Sequence, residues 1–223
     1  MTRTLHVEVG FDLICPWCLI GLRNLQQALA RLRAEQPDAV VHVDWRGVQL
    51  LPQAPAAGWP FLEFYRHRLG GEAAVRQRQG QVLRAAEAAG VRIDYSAIEV
   101  MPNTADAHRL LAWAGRYGSV AQRDGLLERL LRAYFEDGED LGNALVLLAH
   151  GEAAGFERAA MQAQMQGAGV PFQAGGIDDG SNAGSSGVPY FAVGARLMLS
   201  GAQPPDVLLD ALREALDTDS VAI

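Results

Sequence analysis

Cys15-Pro16-Trp17-Cys18 holds the only two cysteines of this 223-residue chain. Two thiols at that spacing can form a reversible disulfide, staple a loop or supply half of a zinc site. Structural zinc needs four protein ligands, usually with a second close pair. The histidines His6, His42, His67, His108 and His150 are scattered without ligand spacing, so no metal site is expected. A purely structural disulfide closing so short a loop would stabilise the fold little through chain entropy. Thiol–disulfide exchange makes the best use of the pair.

The flanking residues say how the pair is held. Leu5, Val7, Val9 and Phe11 alternate at the strand period. Beyond the cysteines Leu19, Leu22, Leu25, Leu29 and Leu32 recur at helical spacing, with Arg23, Gln26, Gln27, Arg31 and Arg33 on the other side. The pair therefore falls where a strand ends and a helix begins. Unpaired N–H groups and the macrodipole at a helix N-terminus stabilise an anion, which favours the thiolate at Cys15. Pro16 suits the first turn because its missing N–H would have had no intrahelical partner. Cys18, about one turn on, can reach back. Cys15 is then the attacking thiolate and Cys18 the resolving thiol. Asp12, just ahead, can carry protons or shape the turn.

Composition bounds the setting. Hydrophobic residues make up 49% of the chain, enough for a substantial core. A net charge of −7 argues against nucleic acid as a partner. No apolar run approaches membrane-spanning length. The first strand begins almost at once after Met1, leaving no room for a signal peptide. The expectation is a cytoplasmic protein, where a lone Cys-x-x-Cys is catalytic or redox-sensing rather than a staple.

After the helix, Pro37-Asp38 marks a turn and Val40 to Trp45 reads as a second strand, with His42 on the face opposite Val41 and Val43. Strand, helix, strand makes a βαβ unit with parallel neighbours. Leu51 to Pro60 is Pro/Ala-rich, and no convincing strand follows until about Tyr190. Helices are predicted over Phe61–Leu69, Ala73–Ala89, Ala105–Tyr117, Val120–Phe135, Asn143–Ala154 and Glu157–Gln166. Asn103 or Thr104 is placed to cap the third, with Asn103-x-x-Asp106 approximating a capping box. Trp59, Trp113 and His108 read as packing residues. Gly167 to Gly187 is loop-like. Val188–Val193 and Arg196–Leu199 form a hairpin turned by Gly194-Ala195. A last helix from Pro204-Pro205 carries Val207, Leu208, Ala211, Leu212 and Leu216 as an apolar stripe. The order βαβ, helical block, ββα is that of an α/β thioredoxin-like fold on a mixed sheet with an inserted all-helical subdomain. The expected division is 1–60 and 172–223 for the thioredoxin-like domain and 61–171 for the insertion.

Several stretches together resemble the FrnE-like branch of the DsbA family of thioredoxin-fold oxidoreductases. They are Cys15-Pro16-Trp17-Cys18-Leu19-Ile20-Gly21, Asn103-Thr104 with Ala107-His108-Arg109-Leu110, Ala133-Tyr134-Phe135, Gly187-Val188-Pro189-Tyr190-Phe191 and Ser200-Gly201-Ala202-Gln203. The resemblance spans nearly the whole chain. It implies a cis peptide bond before Pro189, with the proline beside the cysteines and the Val188 backbone pairing with an extended substrate chain or a small thiol. Pro16, Trp17, Val188 and Pro189 are thereby the implied substrate-binding residues. Pro189 lacks an N–H and cannot ligate a metal. The chain departs from the branch in Val9-Gly10, where a more polar lead-in is usual, and in the plain Gly/Ser-rich loop before Gly187.

The activity expected is disulfide exchange on a protein or small-molecule thiol or disulfide. No tightly bound cofactor is called for, with glutathione a candidate thiol co-substrate and the protein a monomer or homodimer. Kappa-class glutathione transferases and 2-hydroxychromene-2-carboxylate isomerases share the layout but place a serine where this chain has Cys15. They need no resolving thiol. A non-enzymatic redox sensor is the third reading, and turnover separates it from an enzyme.

Overall fold

The computed structural model describes residues 3–166 and 187–219. The predicted loop from Gly167 to Gly187 therefore lies, except for Gly187 itself, outside the described residues.

In chain order the elements are β1 (Arg3–Phe11), α1 (Pro16–Glu35), β2 (Ala39–Gly47), β3 (Trp59–Pro60), α2 (Phe61–Leu69), α3 (Glu72–Ala89) and β4 (Val100–Met101). There follow α4 (Ala105–Tyr117), α5 (Val120–Phe135), α6 (Ala144–Ala153), α7 (Arg158–Gln166), β5 (Tyr190–Val193), β6 (Leu197–Ser200) and α8 (Pro205–Asp219). The described residues within Met1–Val48, Ala88–Val91 and Ile177–Ile223 form one compact unit, and those within Gln49–Glu87 and Arg92–Gly176 another.

The first unit is built on a four-stranded sheet in the order β2-β1-β5-β6. β1 and β2 are parallel, with Leu5 opposite Val41, Val7 opposite Val43 and Val9 opposite Trp45. β1 also pairs antiparallel with β5, and β5 with β6. Alternation puts Leu5, Val7, Val9 and Phe11 on one sheet face, all buried. α1 and α8 pack against each other. Each of the five leucines predicted to line α1 is buried. On α8 the stripe is shifted. Val207 is 40% exposed, while Leu209 and Ala215 join Leu208, Ala211, Leu212 and Leu216 inside, because a face centred on Leu208, Leu212 and Ala215 keeps the helical repeat better than one that includes Val207. Arg196 belongs to the hairpin turn rather than the return strand.

The second unit is not all helical. β3 and β4 form a two-stranded antiparallel pair, Trp59 opposite Met101 and Pro60 opposite Val100. Two residues with a proline are too few to show a strand period, which hid them from the sequence. Gly58, at φ +68°, makes the approach possible, since a Cβ there would lie 2.7 Å from the Met101 carbonyl oxygen. The expected capping box at α4 does not form. Asn103 Oδ1 accepts from the Ala105 N–H at 3.0 Å, whereas Asp106 turns to Arg109 in an i,i+3 ion pair. A true capping box instead opens α5, with the Ser119 hydroxyl accepting from Gln122 N–H and the Gln122 side chain accepting from Ser119 N–H. Trp59 stacks on Phe64 and Trp113 packs on Phe156, as packing residues should.

Candidate active site

Both cysteines sit at the start of α1, where the sequence places them. Cys15 is the N-cap residue, with extended backbone (φ −91°, ψ 110°), and Pro16 follows in the first turn. Cys15 has to lie there because the Asp12 carbonyl accepts its N–H at 3.2 Å, folding the chain from strand to helix. Its own carbonyl then accepts from Cys18 N–H at 2.9 Å and from Leu19 N–H at 3.3 Å, opening the helical ladder. Asp12 is thus the turn former, itself fully buried.

The two thiols are free and differ in setting. Cys18 has no exposed surface, and its Sγ accepts the Asp12 backbone N–H at 3.5 Å. Burial pushes the Cys18 thiol well up, helped by its hydrogen bond and charge interaction with Cys15; the Asp12 N–H opposes this weakly. Cys15 is 6% exposed. Its thiol donates to the Val188 carbonyl at 3.8 Å. Pro16 and Trp17 are half-buried beside it.

Val188 and Pro189 arrive from the far end of the chain, and the bond between them is cis. Four contacts hold this segment. The Pro189 carbonyl accepts Gly201 N–H at 2.8 Å. The pyrrolidine ring fits over Gly21 of α1, where a Cβ would lie 3.0 Å from Pro189 Cγ and 3.1 Å from the Phe191 ring. Asn24 of α1, nearly buried, donates to the Gln203 carbonyl at 2.8 Å, tying the Ser200–Gln203 turn to the helix. Tyr190 lays its ring across Gly10, where a Cβ would come within 1.9 Å of it.

That last contact continues outward. The Tyr190 hydroxyl donates to Glu8 Oε1 at 2.9 Å, and Arg46 pairs with Glu8 Oε2 at 3.1 Å. Burial and the Glu8 carboxylate push the Tyr190 phenol up to about 12. Gly10, Gly21, Asn24 and Tyr190 were not singled out as site residues from the sequence. Gly10 inside a strand and Gly21 inside a helix are the signals that point to a close approach. His108 is buried on α4 in the second unit. Among the described residues, no group of three or more His, Cys, Asp or Glu is placed to hold a metal ion.

A mixed sheet carrying a Cys-x-x-Cys at a helix N-terminus, faced by a cis-proline segment, defines a thioredoxin-like dithiol protein. Residues 6–213 match the DSBA-like thioredoxin domain, and the chain belongs to that family. A "probable DsbA oxidoreductase" from Streptomyces coelicolor is similar at 25% identity and a TM-score of 0.80, covering 96% of this chain and 90% of its own. The cytosolic disulfide reductase DsbM from Pseudomonas aeruginosa, solved with glutathione, shares the fold at 18% identity and a TM-score of 0.55, covering 98% of each chain. A 2-hydroxychromene-2-carboxylate isomerase shares it at 13% identity and a TM-score of 0.59, covering 98% of this chain and 99% of its own. No curated protein matches the sequence.

Proposed function

We propose that the protein is a thiol–disulfide oxidoreductase of the FrnE-like branch, with Cys15 as the attacking thiol and Cys18 as the resolving one. The observation that carries this reading is the asymmetry of the pair. Cys15 stands at the N-cap of α1 with its thiol against the Val188 carbonyl, while Cys18 lies one turn deeper with no exposed surface.

In the reducing direction the Cys15 thiolate attacks one sulfur of a substrate disulfide, forming a mixed disulfide and releasing one substrate thiolate. Cys18 gives up its proton and attacks the Cys15 sulfur. The Cys15–Cys18 disulfide forms and the second substrate thiolate leaves, so two electrons pass from protein to substrate. In the oxidising direction the same bonds exchange in reverse. The raised Cys18 thiol keeps its proton until the mixed disulfide forms, which prevents it from competing as a second nucleophile. The Val188 backbone is placed to pair with the substrate chain, Pro189 closes the site beside it, and Pro16 and Trp17 line the approach. Glutathione suits the site as thiol co-substrate, a reading supported by the reductase of like fold solved with it. We place the activity in the cytoplasm, where a reducing pool recycles such a dithiol.

The isomerase reading gains nothing from the geometry, since a resolving thiol at Cys18 has no part in it. The test is trapping. Cys18→Ser should accumulate a mixed disulfide between Cys15 and a disulfide-containing peptide, read as an adduct by intact mass. Cys15→Ser should form none. Full turnover by Cys18→Ser would sink the dithiol mechanism.

A further inference from the structure

Tyr190 follows directly on Val188-Pro189, whose Val188 carbonyl faces Cys15, and its side chain leaves the site altogether. Its ring crosses β1 at Gly10, the one place in that strand without a Cβ to block it. Its hydroxyl ends on Glu8, which is fixed in turn by Arg46 of β2. These contacts form a strut from the cis-proline segment across β1 to the edge strand β2. The segment's other ties, Gly201 N–H to the Pro189 carbonyl and the ring over Gly21, lie on Pro189 itself. They hold the Pro189 ring, and the planar Val188–Pro189 peptide passes that hold to the Val188 carbonyl, while Tyr190 anchors the chain on the other side of the proline.

We propose that Tyr190, held by Glu8 and Arg46, is a positioning residue that acts with the ties on Pro189 to set the Val188 carbonyl against Cys15. The proposal rests on the exchange reading above and names the residues that tune the same site. Val188 presents its backbone both to the Cys15 thiol and to an arriving substrate chain. A strut that fixes Val188 therefore acts on substrate binding and on the reactivity of Cys15 together. An interaction felt equally in the ground and transition states moves KM and leaves kcat.

The experiment compares the full chain with Tyr190→Phe, Glu8→Gln, Glu8→Ala and the Tyr190→Phe/Glu8→Ala double variant. The probes are a quenched fluorescent peptide with one disulfide, for kcat and KM, and iodoacetamide, for the alkylation rate of Cys15. Tyr190→Phe and Glu8→Ala should each raise KM by about threefold to tenfold, the range of one net hydrogen bond, with kcat little changed. Cys15 alkylation should speed up as the Val188 carbonyl loosens its hold on the thiol. Glu8→Gln keeps an acceptor for the hydroxyl and should stay near wild type. The double variant should be no worse than either single one, because both remove the same contact. Wild-type KM and alkylation in Tyr190→Phe, with only a lower melting temperature, would reduce the strut to a structural brace and overturn the proposal. If the wild-type chain does not turn over the peptide, the exchange reading has failed, and the alkylation rates alone decide whether the strut positions Val188.

Discussion

Cys18 is held as a thiol by its surroundings, and that has a measurable cost at high pH. Its folded value is raised above that of an unfolded cysteine, so the native state keeps a proton the unfolded chain has already released. Stability should be intact below the unfolded thiol value of about 8.5 and should fall as pH rises toward the folded value. One proton limits the slope to about 1.4 kcal/mol per pH unit. Urea unfolding of the reduced protein at several alkaline pH values should show this decline, and Cys18→Ala should lose that part of it. Identical pH profiles for the two proteins would contradict the assignment. The same difference between the thiols predicts that iodoacetamide near neutral pH labels Cys15 before Cys18, read by peptide mass mapping. Equal labelling would remove the asymmetry on which the roles rest. The placement of both cysteines at the start of α1 was legible in the sequence because it depends only on local spacing. The Val188 carbonyl was implied by resemblance alone, since it lies 173 residues away along the chain.

Among elements, α1 does two jobs: its N-terminus carries the dithiol and its flank receives Pro189. Gly21 makes the second possible. Gly21→Ala should bring a methyl against Pro189 and Phe191 and destabilise by about 1–3 kcal/mol, typical of overpacking. It should also alter exchange, because Pro189 shares a peptide bond with Val188, whose carbonyl accepts from the Cys15 thiol. Ser119→Ala supplies the contrast. It breaks the capping box of α5 at about 1 kcal/mol and should leave exchange unchanged. Thermal melts and peptide turnover on both variants check the pair, and a large loss of turnover in Ser119→Ala would contradict the assignment of the chemistry to α1. The long helices were readable because their leucines repeat and glycines such as Gly90 and Gly155 close them in left-handed conformation. β3 and β4 were not, because each draws its identity from the partner strand rather than from its own pattern. The α4 cap was misplaced for a similar reason. Asp106 prefers the charge of Arg109 to a reach back toward the N-cap.

Across the whole molecule, the sequence order βαβ, helices, ββα was enough to expect one mixed sheet, and the sheet β2-β1-β5-β6 closes it by pairing β1 with a strand from the far end of the chain. What the pattern could not convey is how the sheet serves the site. Gly10 is where the Tyr190 ring crosses β1, a contact no local pattern reveals. Direction of catalysis is a property at this scale as well. Dithiol proteins differ by roughly 150 mV, equivalent to about 7 kcal/mol, in the balance between the two forms. The measurement that tests the central claim most directly is an equilibrium titration of the full chain in glutathione redox buffers, following tryptophan fluorescence and free thiols together. A single two-electron transition, present in the wild type and absent from Cys15→Ser and Cys18→Ser, is the predicted result. Two free thiols throughout the titration would contradict it.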